Sequence, residues 1–537
     1  MELTTGRTTW TKDALHQLVR SRLHGMRFIA VSNREPYIHR KNQGKTECIR
    51  PAGGLTSALD PILRATGGTW VAFGGGDADR TAVDARDHVA VPPEKPSYTL
   101  RRVWLDESIE RQYYYGLANE GLWPLCHAAF HQPVFRLSDW ESYRLANQIF
   151  ADAVLEEADG EAAFVFIQDY HFGLLPRMLK RQNPKLIVAQ FWHIPWPNRE
   201  NFRVFPWKEE LLDGLLGNDL LGFHLPSHCA NFLETVDQGI EARVDREHFK
   251  VGRQEHATEV RAFPISIDFE WHRREALSPE VERHMENWTS ELGRRPEFLG
   301  VGIDRLDYTK GIPQRLMAVD RFLEENPEYC GRFCFLQVGV PSRTAIEPYR
   351  RLDGEVTGLV HSINNKWRMK GWAPIYYCNR HLPQQELMAL HRLADFCLVS
   401  SLHDGMNLVA KEFVASRTDE DGVLILSSFT GAARELSSAI LVNPFSPDQM
   451  ADAIREALTM EPAKREARMR RMRSAVRDNN IYTWAAGVMN ALSGFRTNEA
   501  APRTLSAAAG QGQLRECMGA SATERDVVTF LNRSAVM

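Results

Sequence analysis

Two cations stand five residues apart in the C-terminal half of the chain, Arg305 and Lys310, and Gly311 follows directly. Arginine and lysine side chains bind phosphate oxygens, and a glycine lets the backbone approach a ligand closely. This pattern indicates a clamp on a pyrophosphate group. The alternative is structural, with Asp304 or Asp307 forming a salt bridge to these cations.

A second segment with phosphate chemistry runs from Asp404 to Glu412 and reads Asp-Gly-Met-Asn-Leu-Val-Ala-Lys-Glu. It follows an apolar run, Gly405 permits a tight turn, and a helix is predicted to begin near Asn407. The free N–H groups of a first helical turn favour phosphate. Glu412, one turn beyond Leu408, could accept hydrogen bonds from two ribose hydroxyls. The alternative is that Asp404 or Asn407 only caps the helix and that Glu412 is solvated.

A further pair of cations, Arg34 and Arg343, lies in different halves of the chain, each just past a candidate strand. If the two halves face each other, both side chains can hold a second anionic group, such as a sugar phosphate. Tyr114 and Trp123 could supply a phenol donor and a face on which a sugar stacks. Aromatic-rich segments are more often core, so that alternative stays open.

Asp169 and His193 each follow a strongly apolar candidate strand, where a charged or titratable residue is out of place unless it serves a site or a buried pair. A histidine in this position is also often structural. Gly53 and Gly54 could bring backbone N–H groups to a phosphate or sugar, or form a simple turn. Hydrolysis by a Ser-His-Asp triad is not supported, since the chain has no G-x-S-x-G motif.

The elements that must position these residues are short apolar runs alternating with amphipathic stretches, which predicts βαβ units around parallel sheets. Ligands of such sheets bind beyond the carboxyl ends of the strands, where the residues above lie. The candidate strands are residues 28–31, 164–167, 186–191, 220–223, 298–302, 334–338, 396–399, 423–426 and 440–442. Their near-continuous apolarity indicates that helices cover both faces.

The chain is predicted to fold as two doubly wound α/β domains with a hinge close to residue 265. A charged, helix-prone stretch, Pro279 to Arg294, follows the hinge and precedes a new series of candidate strands. We divide it into an N-terminal extension (1–26), an N-terminal Rossmann-like domain (27–265), a C-terminal Rossmann-like domain (266–480), a terminal helix packing back on the N-terminal domain (481–497) and a mobile tail (498–537).

Composition excludes several classes of function. The chain has 65 Lys+Arg against 69 Asp+Glu, a net charge of −4, which gives no support for nucleic-acid or membrane-surface binding. No window approaches the roughly 20 apolar residues of a membrane span. The first 20 residues have no apolar core of a secretory signal and the 8 cysteines have no framework spacing, so a reducing cytoplasm is expected.

Two short motifs fit no function. Gly74-Gly75-Gly76 lacks the spacing of a dinucleotide fingerprint, which disfavours a nicotinamide enzyme. Asp77-Ala78-Asp79-Arg80-Thr81 matches a short phosphatase signature, but it lies in the N-terminal half behind these glycines, and we interpret it as a chance match in a loop.

Taken together, the motifs resemble those of trehalose-6-phosphate synthases, in order, from about residue 27 to 495. The segments that carry the resemblance are Val31-Ser32-Asn33-Arg34, Ala52-Gly53-Gly54-Leu55, Leu122-Trp123-Pro124, Asp169-Tyr170-His171, His193-Ile194-Pro195, Arg305 to Gly311 and, above all, Asp404 to Glu412.

The resemblance implies a GT-B fold, in which two Rossmann-like domains face each other across a cleft; the N-terminal one would be the acceptor domain and the C-terminal one the nucleotide-sugar domain. It also implies transfer of glucose from UDP-glucose to glucose 6-phosphate with retention of the anomeric configuration. No metal or cofactor would be required. Implied donor-binding residues are Gly53, Gly54, Arg305, Lys310, Leu382, Asp404, Leu408, Val409 and Glu412. Implied acceptor-binding residues are Arg34, Tyr114, Trp123, Asp169 and Arg343. The catalytic set would be Arg305, Lys310, Asp169, His193 and Asp404, with Asp169 orienting the acceptor and His193 beside the transferred sugar.

Two departures bear on the acceptor. Glu35-Pro36-Tyr37 also resembles glucosylglycerol-phosphate synthases, which use glycerol 3-phosphate, and His403 stands where many relatives have arginine. A non-catalytic regulatory subunit is the alternative from another class, although such proteins typically lose site cations that this chain keeps. Relatives often self-associate, so a homo-oligomer is an open expectation.

Overall fold

The computed structural model describes residues 9–23, 25–42, 44–50, 54–128, 130–293, 295–369 and 371–497. Gly53 and the predicted tail from 498 to 537 lie outside the described residues.

The N-terminal domain is built on a sheet of ten strands in the order β10-β11-β12-β9-β8-β7-β1-β4-β6-β5. The strands of this domain are β1 (Arg27–Ser32), β2 (Ile38–Asn42), β3 (Lys45–Ile49), β4 (Thr69–Phe73), β5 (His88–Val91), β6 (Tyr98–Val103), β7 (Ala163–Gln168), β8 (Ile187–Phe191), β9 (Leu220–Phe223), β10 (Arg243–Asp245), β11 (Lys250–Arg253) and β12 (His256–Ala262). β2 and β3 pair with each other in a separate antiparallel hairpin. Within the ten-stranded sheet, the pairs β5–β6, β10–β11 and β11–β12 are antiparallel, and the other neighbouring pairs are parallel.

The C-terminal domain is built on six parallel strands in the order β15-β14-β13-β16-β17-β18. The strands are β13 (Phe298–Arg305), β14 (Phe333–Val340), β15 (Ile375–Cys378), β16 (Phe396–Val399), β17 (Val423–Ser427) and β18 (Ile440–Val442). Numbered within the domain, this is the order 3-2-1-4-5-6 of doubly wound nucleotide-binding folds.

The same order appears in the N-terminal sheet, whose parallel strands β6-β4-β1-β7-β8-β9 also run 3-2-1-4-5-6. Each sheet therefore has a point where the strand order reverses, between β1 and β7 in one and between β13 and β16 in the other. The crevice outside the carboxyl ends of the strands at this point is where such folds bind ligands. Both switch points lie beside residues that the sequence singled out.

Eighteen α-helices connect and cover the two sheets in the described part of the chain. They are α1 (Lys12–Arg22), α2 (Gly54–Thr66), α3 (Glu107–Glu110), α4 (Trp123–His127), α5 (Leu137–Ala158), α6 (Leu175–Gln182), α7 (Arg199–Phe202), α8 (Lys208–Leu215), α9 (Pro226–Gly239), α10 (Phe269–Glu275), α11 (Pro279–Glu291), α12 (Ile312–Glu325), α13 (Glu347–Lys366), α14 (Gln384–Leu393), α15 (Leu408–Ser416), α16 (Pro447–Thr459), α17 (Pro462–Asp478) and α18 (Ile481–Thr497). A π-helix, Arg111–Leu122, joins α3 to α4 and carries Tyr114. π-helical turns are rare and are frequent at functional sites.

The last described helix crosses back to the first sheet. Trp484 of α18 packs against Phe166 of β7 and Phe191 of β8, with ring centres 6.0 and 5.3 Å apart. α1 in turn contacts both α2 and α18. None of the helices described here is long and apolar enough to cross a membrane.

Candidate active site

The residues expected to bind the donor lie at the switch point of the C-terminal domain. Arg305 is the last residue of β13, and Lys310 follows in a short 3-10 turn. Gly311, with a φ of +62°, comes next and lies directly before the first residue of α12. Lys310 Nζ lies 2.5 Å from Oδ2 of Asp404, which comes from the loop after β16. Burial raises the pKa of Asp404, but Lys310 outweighs burial and holds the Asp404 pKa well below its usual range.

Asp304 and Asp307 do not form salt bridges with Arg305 or Lys310, which was the structural alternative for these two cations. Asp304 pairs with the fully buried Arg315 at 2.7 Å, and Asp307 pairs with Arg343 at 3.3 Å. In the described part of the chain Arg305 has no ion pair, and its guanidinium carbon lies 6.0 Å from the centre of the Trp123 ring. Arg305 is therefore available to an anion.

The start of α15 has the geometry of a phosphate site. Asn407, with a φ of +80°, caps the helix by accepting a hydrogen bond from the Ala410 N–H at 3.0 Å. The N–H groups of Leu408 and Val409, in the first turn, are left without helical partners. Helix capping thus falls to Asn407, while Asp404 binds Lys310.

Glu412 lies one turn further along α15 and is not simply solvated. Its Oε1 lies 4.0 Å from Nε2 of His272, and the Glu412 side chain is 22% exposed. His272 Nε2 is also 3.3 Å from the side-chain nitrogen of Gln384, which begins α14. Leu382 is buried two residues before α14, in the segment that follows β15. Gly54 is the first residue of α2.

Asp169 and His193, expected beside the acceptor and the transferred sugar, lie at the other switch point. Asp169 follows β7 with a strained φ of +74°, and its Oδ1 accepts hydrogen bonds from the N–H groups of Tyr170 at 2.9 Å and His193 at 3.2 Å. Burial raises the pKa of Asp169 to about 7. Burial lowers the pKa of His193 to about 3, so this histidine is neutral, and its Nε2 is 3.0 Å from Oε1 of Gln168.

Three guanidinium groups converge on one phenol, that of Tyr114. Burial alone would raise the pKa of Tyr114. The positive charges of Arg343, Arg34 and Arg305 outweigh burial and lower the pKa of Tyr114 to about 8. The Tyr114 hydroxyl lies 3.5 Å from Arg34, and its ring stacks on His171 with centres 5.6 Å apart. The structure therefore brings together cations from three strand ends, two of them in the other domain.

Contacts across the cleft join the two halves of this site. Arg343 lies 4.1 Å from the centre of the Trp123 ring. His403 Nδ1 lies 2.7 Å from the His127 carbonyl oxygen. A Cβ at Gly405 would lie 2.7 Å from the His193 carbonyl oxygen, so glycine permits this approach.

Sequence reasoning missed the residues that support the cations. Arg343, with a φ of +50°, donates to the Tyr349 hydroxyl at 2.6 Å and to the Tyr170 hydroxyl at 3.4 Å. Tyr170 follows Asp169 directly, so its position beside a site residue was a usable signal. Arg315 on α12 gave no signal, because a helical arginine ordinarily reaches solvent.

No group of three or more metal-ligating side chains occurs among the residues that the structure describes. The cations of the site are all arginine and lysine.

Comparison with known proteins agrees with this geometry. A family model for glycosyltransferase family 20 matches residues 26–494. A trehalose-6-phosphate synthase from Mycolicibacterium vanbaalenii is 38% identical over 483 residues, which cover 88% of this chain and 97% of that protein. The chain belongs to glycosyltransferase family 20.

Solved structures confirm the expected GT-B fold of this family 20 chain. An E. coli structure bound with UDP-2-fluoro glucose has a TM-score of 0.78 and 30% identity, covering 87% of this chain and 99% of that one. A UDP-forming α,α-trehalose-phosphate synthase from Burkholderia xenovorans, in complex with glucose-6-phosphate, also has a TM-score of 0.78 and 30% identity and covers 87% and 100%.

Proposed function

We propose that the protein transfers glucose from UDP-glucose to glucose 6-phosphate, giving α,α-trehalose 6-phosphate and UDP, with retention at the anomeric carbon. The observation that carries this proposal is the convergence of three arginines across the cleft. Arg34 lies 3.5 Å from the Tyr114 hydroxyl, and the guanidinium carbons of Arg305 and Arg343 lie 6.0 and 4.1 Å from the centre of the Trp123 ring. Such a cluster suits an anionic acceptor placed next to an anionic leaving group. The names of the family 20 relatives support the same activity.

In the reaction, the bond from the glucose anomeric carbon to the UDP β-phosphate oxygen breaks, and a bond forms to the anomeric oxygen of the acceptor. Negative charge develops on the leaving phosphate. Arg305, Lys310 and the N–H groups at the start of α15 would stabilise that charge. The acceptor's proton passes to the leaving phosphate on the same face, so no protein nucleophile is needed.

The remaining side chains would orient the sugars. Asp404, held by Lys310, would accept hydrogen bonds from hydroxyls of the transferred glucose, and neutral His193 would lie beside it. Buried Asp169 would orient the acceptor. Glu412, beside His272, would bind the ribose. We propose that no metal takes part, since fixed cations supply the charge that a metal would, and that the enzyme works in the cytoplasm.

Glycerol 3-phosphate is the competing acceptor, because it shares the phosphate that the arginines would bind. Release of UDP from UDP-glucose should be measured with each acceptor separately and with none. We expect kcat/KM with glucose 6-phosphate to exceed that with glycerol 3-phosphate by at least about a hundredfold. The reverse preference would overturn the acceptor, and no release with either would favour a regulatory subunit.

A further inference from the structure

Three sequence features that the proposed site does not use lie together in the N-terminal domain. They are Glu35, the run Gly74-Gly75-Gly76 and Asp79. Glu35 and Asp79 both pair with Arg102, which is fully buried on β6, and their side chains are 3% and 0% exposed. A buried group of this kind is retained only when its hydrogen bonds are satisfied.

The guanidinium group of Arg102 binds four residues, Glu35, Tyr37, His39 and Asp79. Its Nε donates to Oε2 of Glu35 at 2.8 Å, and one terminal nitrogen lies 2.8 Å from Oδ1 of Asp79. The other terminal nitrogen donates to the Asp79 carbonyl oxygen at 3.0 Å. The Tyr37 carbonyl oxygen and His39 Nδ1 lie 3.1 and 2.8 Å from the same guanidinium.

The glycine run wraps the two carboxyl groups. The Gly75 N–H donates to Oε1 of Glu35 at 3.2 Å, and the Gly76 N–H donates to Oδ2 of Asp79 at 2.5 Å. A Cβ at Gly76 would lie 2.3 Å from the His39 carbonyl oxygen, so only glycine fits there. Gly75, Gly76 and Asp79, which come from the two motifs without an assigned function, thus take part in one ionic network.

Two carboxyl groups share one arginine in this network. Burial, together with a hydrogen bond to Asp79, raises the pKa of Glu35 to about 8. The neutral form of Glu35 is therefore favoured at neutral pH, and the hydrogen bond joins it to the Asp79 carboxylate, whose pKa lies well below the usual range. A glutamine at position 35 would resemble the protonated glutamate, because it has a similar size, no charge, and both a hydrogen-bond donor and an acceptor in its side chain.

The network lies directly beside Arg34. The Ser32 hydroxyl donates to the Arg34 carbonyl oxygen at 2.6 Å, and Trp70 Nε1 donates to that hydroxyl at 2.8 Å. On the other side, Glu35 is held by Arg102. The backbone of Arg34 is thus fixed from both sides, while its exposed side chain has one hydrogen bond to the described residues, to Tyr114 at 3.5 Å.

We propose that Glu35 is a positioning residue, which acts through its bonds to Arg102 and Gly75 to hold Arg34 in place for the anionic group of the acceptor. This inference rests on the proposed function, in which Arg34 binds the acceptor. Glu35 itself is buried against Arg102 of β6, so its effect is on acceptor affinity through Arg34 and not on the leaving group.

The test measures the KM of each substrate in Glu35→Ala, Glu35→Gln and Arg34→Ala variants of the full chain. Glu35→Ala should raise the acceptor KM by roughly tenfold and leave the UDP-glucose KM within about twofold. Glu35→Gln, which keeps the hydrogen bonds of the protonated acid, should remain within about threefold of the wild type. Glu35→Asp, too short to reach both partners, replaces Glu35→Ala if that variant does not fold.

A double variant shows whether Glu35 acts through Arg34. In the Arg34→Ala background, Glu35→Ala should change the acceptor KM no further, since the coupled effects are not additive. The matched control is Glu157→Ala, which removes another carboxylate from an ion network of this domain, 2.7 Å from His88. It should lower the melting temperature without changing either KM.

Two results would overturn the inference. One is an equal rise in both KM values in Glu35→Ala, which indicates general destabilisation. The other is an unchanged acceptor KM in a folded Glu35→Ala protein while Arg34→Ala raises it. If Arg34→Ala itself leaves the acceptor KM unchanged, the acceptor assignment of the proposed function fails as well.

Discussion

The guanidinium group of Arg343, in the C-terminal domain, lies over the ring of Trp123, in the N-terminal domain, 4.1 Å from its centre. The same guanidinium donates to the Tyr170 hydroxyl at 3.4 Å, again across the cleft. Its charge is compensated by Asp307 within its own domain, at 3.3 Å. An acceptor bound at Arg343 would therefore lie where the two domains meet.

Replacing Arg343 with lysine should weaken acceptor binding selectively. A lysine keeps the charge but loses the planar group that lies over Trp123 and the hydrogen bonds to Tyr349 and Tyr170. We expect the acceptor KM to rise by at least about tenfold, with the UDP-glucose KM within about threefold. Initial-rate kinetics with each substrate varied in turn measure both values. Equal changes in the two KM values would contradict an acceptor role.

Replacing Arg305 with alanine should impair the chemical step. This side chain is the cation of the donor loop without an ion pair to the described residues, so nothing else there takes over its charge. We expect kcat/KM to fall by at least roughly tenfold while the protein remains folded. Arg321→Ala, which removes an exposed arginine paired with Asp448 at 2.8 Å, is the control. Near-normal turnover in Arg305→Ala would exclude the leaving-group role.

Acceptor binding should depend on pH through Tyr114. Its pKa is lowered to about 8 by the three arginines, so the phenol is neutral below that pH and a phenolate above it. The phenolate cancels one positive charge, so attraction for an anionic acceptor falls as pH rises through about 8. The acceptor KM of the wild type should therefore rise several-fold across this range, about the size of one lost charge interaction. In Tyr114→Phe the KM should stay flat, and a rise like that of the wild type would refute this assignment.

Removing metal ions should leave the activity unchanged. The proposed stabilisation of the leaving phosphate comes from Arg305, Lys310 and the first turn of α15. After dialysis against a chelator, kcat should remain within about twofold, because fixed cations need no exchangeable ion. If chelation abolishes the activity and an added divalent cation restores it, a metal ion takes part in the reaction and the proposal is wrong on this point.

The fold was predictable where strands are fully apolar. The nine candidate strands correspond to β1, β7, β8, β9, β13, β14, β16, β17 and β18, since near-continuous apolar runs are typical of a buried parallel sheet. The strands β4 and β6 of the same core were missed. β6 carries Arg101 and Arg102 in its middle, and only the buried partners Glu35 and Asp79 explain why Arg102 can lie there.

The candidate site was predictable where a charged residue directly follows the end of a strand. Arg305, Lys310 and Asp404 all lie at the C-terminal switch point, as that rule implies. The pairing of Lys310 with Asp404 was not predictable, because it joins loops that are 94 residues apart. Nor was the role of Glu35, since neighbouring residues in a strand-end loop can point to opposite sides.

The central claim is that this cleft joins two glucose units through their anomeric carbons with retention. The most direct measurement is the NMR spectrum of the product made from glucose 6-phosphate and UDP-glucose labelled with carbon-13 at the anomeric carbon. We predict a single labelled product, a disaccharide monophosphate whose labelled carbon has the α configuration and is bonded to the anomeric oxygen of the acceptor. A β configuration, attachment at another hydroxyl or release of free labelled glucose alone would contradict the account.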